Sequence, residues 1–471
     1  MLPKRTKGVE TLLGNPKRAI LKLSGPMIIG MLVQSLYNLV DGIWVAGLGA
    51  NALAAIGLFF PVFFIIMGIG VGIGVGGSSA ISRSLGANDK HGADSAATHA
   101  LIIGLTLAIL ISGIAFPFLR QIFNLIGAKE RVSDMVTAYS RVLVGGAVVM
   151  VFSNIASGIL RGEGDTKRAM YAMITGSILN IILDPIFIYT FRMGVVGAAW
   201  ATLTSIAISS SLLSYWLFIR NNTYVKVHFR GFTFSKSIAG QIIRVGIPAS
   251  FSQMSMAISV FILNILIVHV GGSNAIAVYT SAWRFLMLGV VPIMGIGVGV
   301  TAVTAAAFGA RDVKKVKTAW LFGVKVGFIT ELVILSMILI FAPWLAKAFT
   351  YSKGAVHLAG ELTITLRILA DFLPFVPLGL LTASMFNGIG MGERALIIMI
   401  IRALGLRILF AWLFGVVFGY GFNGISWGIV VGNITASSLA LVWGYVTIRH
   451  LARDMKSMKT KEDQQFQSTL S

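Results

Sequence analysis

The chain has 471 residues, 56% of them hydrophobic and only 12% charged, with a mean hydropathy of +0.87. That balance excludes a water-soluble domain of ordinary composition. A formal net charge of +21 raises nucleic acid as a partner but the placement of the cations excludes it, and the absence of cysteine excludes disulfides, thiol catalysis and Cys-ligated zinc.

A helix needs about 20 apolar residues to cross a hydrocarbon layer of roughly 30 Å. Twelve stretches qualify: 20–46, 53–82, 97–119, 136–160, 169–190, 194–219, 241–270, 275–307, 318–345, 362–386, 395–419 and 422–448. They predict an all-α integral membrane protein in five parts: a polar segment 1–19, six spans over 20–219, a linker 220–240, six more spans over 241–449, and a tail 450–471. Lys and Arg crowd onto the side that carries both termini, beginning with Lys4, Arg5, Lys7, Lys17, Arg18 and Lys22. This bias predicts cytoplasmic N- and C-termini in a multi-pass plasma-membrane protein. The basic charge then serves topology and contact with anionic membrane lipids, not nucleic acid. The first apolar run is too long for a cleavable signal and lacks a small-residue cleavage site, so it reads as the first span.

In chain order, the first span carries Pro26, Gln34, Tyr37, Asn38 and Asp41. The second carries Gly68, Gly70, Gly72, Gly74 and Gly76, whose overlapping small-xxx-small spacing favours close helix packing. The fourth holds Tyr139, Arg141 and Asn154; the fifth Met173, Asn180, Asp184 and Pro185; the sixth Thr202. In the second six, charge appears at Arg284, Lys325, Glu331, Arg367, Asp371, Arg402 and Arg407. Arg367 and Asp371, four apart, are spaced for an intrahelical pair, and Glu331 for a neutralising partner among Arg284, Arg402 and Arg407. Gly424 to Gly428 matches G-x-S-x-G, but it opens a span and lacks the strand–turn–helix setting of a nucleophile elbow. With no metal-protease or phosphate-loop motif either, the chain is not read as an enzyme and needs no cofactor beyond a coupling ion.

The two sets of six are copies. GANALA at Gly49–Ala54 recurs as GSNAIA at Gly272–Ala277, and LGANDK at Leu85–Lys90 as FGARDV at Phe308–Val313, about 223 residues on in each case. ILRGEGDTKRAM at Ile159–Met170 aligns with MFNGIGMGERAL at Met385–Leu396. Six is even, so both copies enter from one side, as parallel repeats around a central cavity.

An ionised carboxylate at the centre of a span costs roughly 2.5–3.5 kcal/mol on insertion scales. Asp41 and Asp184 are therefore functional candidates, and the second copy has no acid at either matching position. At about 1.5 Å per residue, Asp41, Asp184 and Thr202 fall at a similar depth in the outer half. Asn180 shares a face with Asp184, and Tyr37 with Asp41. Carboxylates, an amide, a hydroxyl and the carbonyl loosened by Pro185 are the oxygen donors that hard cations take. The set therefore reads as a cation site. Arg141 is the competing partner for the acids.

The stretch KRAILKLSGPMIIGMLVQSLYNLVDGIWV (Lys17–Val45), with ILRGEGD (Ile159–Asp165) and ILNIILDPIFIY (Ile178–Tyr189), resembles the MATE family of multidrug and toxic compound extrusion transporters, most of all its archaeal, DinF-like members. The resemblance implies the MATE/MOP fold and export of cationic or amphipathic drugs in exchange for H+ or Na+. It implies a cation site on Asp41, Asn180, Asp184 and Thr202, joined by Tyr37, Tyr139 and Asn154. Ser157 stands where close relatives carry Asn. Gln253 stands where other members place an acid, while Asp371 matches their second acid. Gln34, Asn38 and Met173 are candidates for a polar and substrate-lining network, Pro26 for a hinge, and Asp371, Glu331 and Arg284 for a role in the second copy. The expected protein is a monomeric antiporter for small organic cations; a flippase for lipid-linked precursors is the alternative.

Overall fold

The computed structural model describes residues 5–220, 222–350 and 356–470. After a short helix α1 (Lys7–Leu13), the first copy is built from α2 (Pro16–Ala46), α3 (Ala50–Gly86), α4 (Lys90–Leu125), α5 (Glu130–Gly145), α6 (Ala147–Gly162), α7 (Thr166–Pro185) and α8 (Gly194–Ser214). The second uses α9 (Lys236–Gly309), α10 (Val313–Phe349), α11 (Ala359–Ala370), α12 (Val376–Gly388), α13 (Gly392–Ile400), α14 (Arg407–Trp412) and α15 (Gly421–Leu470). Side-chain caps set many helix starts: Asn15, Asp89, Asp165, Ser235 and Asp312 each accept from a first-turn N–H.

Among the described residues, ten helices, counting continuous ones once, are long and apolar enough to cross a membrane, and α5 with α6 forms an eleventh span bent by 47°. The 74-residue α9 covers about 110 Å at 1.5 Å per residue, enough for two crossings. It doubles back at Gly272, whose φ of 65° and ψ of −157° leave the helical region. Split there, it yields the twelve spans expected from sequence.

Glycines bring the two bundles together. Gly72 lies against Gly246 and Ser250, and Gly76 against Ile242; in the other copy, Gly295 lies against Ile28 and Gly299 against Ile20 and Ser24. Farther along, Gly86 meets the carbonyl of Ala306 and Gly309 that of Arg83. These contacts repeat the same positions in both copies, the signature of a pseudo-two-fold axis along the membrane normal. Ser250 Oγ donates to Gly68 O at 2.7 Å, and Ser79 Oγ to Asn387 O at 2.6 Å, reinforcing the seam. All lie toward the side that carries the termini.

The linker is strapped to the first bundle by backbone donors. Val225 N donates to Glu163 Oε2 at 2.8 Å, Lys226 N to Asp94 Oδ1 at 2.8 Å, His228 N to Thr98 Oγ1 at 3.2 Å and Ser235 N to His99 Nε2 at 2.8 Å.

Candidate cation site

Pro185 ends α7 because it has no N–H, and the chain continues as a π turn over Ile186–Thr190. Asp184 is fully buried just before that break, with Asn180 one turn earlier and 2% exposed. α7 packs between α2 and α8, so these two meet Tyr37 and Asp41 from one neighbour and Thr202 from the other. The carboxyls of Asp41 and Asp184 lie beside each other, and Tyr37 lies beside Thr202.

The neighbours of Asn180 fix which way its amide points. Nδ2 donates to Asp184 Oδ2 at 2.8 Å, while Oδ1 accepts from Thr202 N at 3.2 Å and from Thr202 Oγ1 at 3.3 Å. Asp184 Oδ1 is left buried without a partner. Two adjacent carboxyls and an orphan oxygen need a proton or a cation between them. The donor set fits a hard monovalent ion, with Asp41 and Asp184 as its charged ligands.

The remaining candidates divide. Tyr139, 9% exposed, stands edge-on to Phe59 at 5.2 Å, close enough to the acids to feel their charge. Asn154 points elsewhere: its Nδ2 donates to Met150 O at 3.0 Å, and its side chain fills the space beside Gly70. Met173 Sδ packs beside Gly30 of α2. Gln34 and Asn38 are exposed, and Pro26 lies within α2 without ending it. Arg141 is exposed and joins none of the ion pairs among the described residues.

In the second bundle the expected neutralising pairs do not form. Among the described residues the ion pairs are Lys90–Asp94, Arg120–Asp134, Arg168–Asp165 and Arg244–Glu393. Arg367 and Arg284 are exposed, Asp371 caps α11, and Glu331 is fully buried with neither oxygen bonded. Arg407 is turned away into a stack on Trp283.

Sequence reasoning missed Glu163, 1% exposed in the turn after α6. Burial pushes its carboxyl up to about 8, although the Val225 N–H favours the ionised form. An acid in a short polar loop is no anomaly by sequence; only the docked linker buries it.

A duplicated, twelve-span membrane protein with a pair of neighbouring carboxyls inside one bundle has the architecture of a membrane transporter. The MatE family model matches the chain over residues 26–186 and 248–413, one segment per bundle, and the chain belongs to that family. It is 28% identical over 448 residues to "Multidrug export protein MepA" of Staphylococcus aureus (strain NCTC 8325 / PS 47), covering 94% of this chain and 96% of that one. Among solved structures it is similar to a "multidrug resistance MATE family transporter of the MOP superfamily" in an outward-facing conformation, at 49% identity and TM-score 0.94, covering 96% of this chain and 100% of that one. A MATE protein in complex with MaL6 matches at 49% identity and TM-score 0.93, covering 95% and 100%.

Proposed function

We propose that this protein is a monomeric secondary antiporter of the plasma membrane that exports cationic and amphipathic organic compounds in exchange for inward-moving protons. The observation that carries the reading is the Asp41–Asp184 carboxyl pair in one bundle, Asp41 half-buried and Asp184 fully buried with its Oδ1 unpartnered. The names of the relatives, which denote multidrug export, support the substrate class. If drug and ion occupancy oppose each other, linkage turns two binding equilibria into exchange. The bundles meet on the terminus side, as an outward-facing state requires.

A shared proton is compatible with the bonds of Asn180, whose donor end faces Asp184 and whose oxygen is taken by Thr202. Met31, Met67 and Met173 are half-buried and Phe60 is exposed, offering soft, adaptable surface to varied substrates; Met27 is fully buried and packs instead.

The test is drug efflux from proteoliposomes under a proton gradient with sodium absent. Asp41→Asn and Asp184→Asn should each cut transport at least about tenfold, the scale of 1.4 kcal/mol of lost coupling. Full proton-driven export by either variant rejects the site. Export that runs on a sodium gradient alone rejects the proton.

A further inference from the structure

The second bundle contains a small cavity, mostly apolar but with two arginines in its wall, that proton-coupled exchange at the first does not use. Its present volume is about 30 Å³, room for one or two waters, so a larger group enters only as the walls separate, and those walls include Met256, Trp283, Phe372, Arg402, Arg407 and Asn433. Counted from the start of their span, Arg402 and Arg407 lie roughly 10 and 18 Å into a layer of about 30 Å. They are 7% and 2% exposed.

Neither arginine has an anionic partner. Arg407 Nη2 donates to Tyr279 Oη at 3.0 Å and its guanidinium lies 4.5 Å over the Trp283 ring, but its Nε is buried without an acceptor. Arg402 Nη2 reaches the Met399 sulfur at 3.6 Å, a weak acceptor. Neither joins an ion pair among the described residues. Two guanidiniums at hydrocarbon depth with most of their donors unused are costly unless an anion completes them.

The backbone aims both at the cavity. Ile401–Leu406 is a π turn, whose i to i+5 period brings residues five apart toward one face. Ser259 Oγ takes the Ala403 carbonyl at 2.5 Å, holding the turn in place. This span is the second-copy counterpart of the one that carries Asn180 and Asp184. Duplication has thus produced an acidic site in one bundle and a basic site in the other.

We propose that Arg402 and Arg407 bind an oxyanion head group, a phosphate in the first instance. The planar guanidinium fork matches phosphate oxygens, while Met256, Trp283 and Phe372 accept the apolar chain of an amphiphile. The site is independent of the antiport reading.

The experiment uses the full chain in phosphatidylcholine nanodiscs, titrated with short-chain phosphatidate, inorganic phosphate or short-chain phosphatidylcholine while thermal unfolding is followed. Phosphatidate should raise the apparent Tm saturably, and Arg402→Gln should raise the half-saturating concentration at least tenfold. Arg402→Lys, which keeps charge but loses the fork, should fall between. Arg402 has no protein oxygen partner to lose, so its variant tests the site even if Arg407→Gln fails to fold. An equal, Arg402-dependent shift with inorganic phosphate alone would support the site with a free anion as occupant. No saturable shift with either anion, or one unchanged in Arg402→Gln, overturns the proposal. Asp184→Asn should leave the titration unaltered, so failure of one reading is visible apart from the other.

Discussion

Asp184, Glu163 and Arg407 are all buried and ionisable, and they differ in what their surroundings supply. Asp184 has an amide donor and a neighbouring carboxyl. Glu163 has one backbone N–H, and Arg407 a phenol and an indole face. Asp41 and Asp184 were legible from sequence because a charge in an apolar run is conspicuous, and Asn180 because four-residue spacing shares a face. The exposure of Arg141 was not legible, since rotation of a helix about its axis depends on its neighbours. Glu163 gives a pH prediction. Its native value of about 8 exceeds the ordinary 4.5, so the folded state holds the proton more tightly than the unfolded chain. Its contribution to stability is therefore best below about pH 4.5 and declines as pH rises toward 8, by at most about 1.4 kcal/mol per unit. The apparent Tm of the native protein should fall more steeply between pH 5 and 9 than that of Glu163→Gln, which keeps the Val225 bond without titrating. Parallel curves would show that Glu163 is not the group responsible.

Helix positions followed from apolar run length, and the breaks within them did not. The segment 136–160 reads as one unbroken span, yet it bends by 47° between α5 and α6. There Gly146 sits directly on the Leu203 side chain, where a Cβ has no room. The turn between 270 and 275 reads as a loop, but a single residue, Gly272, makes the reversal at positive φ, a conformation cheap for glycine alone. The glycine row of α3 was read as packing from its spacing: Gly68, Gly72 and Gly76 face the second bundle, while Gly70 and Gly74 pack on Asn154 of α6. Gly86 leads to a prediction at this scale. Gly86→Val places side-chain atoms against the Ala306 carbonyl, so the terminus-side seam should no longer shut. Because the native chain has no cysteine, Ser79→Cys gives a clean reporter in the same seam. Maleimide labelling of Ser79→Cys should be slow in the native background and at least about tenfold faster with Gly86→Val, the ratio expected for 1.4 kcal/mol lost from closure. Equal rates would mean that the close approach does not hold the seam.

For the whole molecule, the duplicated seam and the strapped linker give the terminus side a character the other side lacks. The charge bias of the loops predicts which side faces the cytoplasm. Thr233→Cys in the linker and Asn51→Cys between the first two spans are both exposed. In intact cells an impermeant maleimide should label Asn51→Cys and spare Thr233→Cys until the membrane is opened; the reverse pattern would invert the topology. The sequence by itself determined the membrane class, the spans, the duplication and the two outstanding acids, because each is a matter of local hydropathy, period or repetition along the chain. Only the tertiary structure decided that Asp41 and Asp184 meet, that Asn180 turns its donor to Asp184, that Arg402 and Arg407 share an acid-free cavity, and that the linker buries Glu163. Those outcomes depend on helix rotation and on contacts between residues far apart in the chain, which no local pattern encodes.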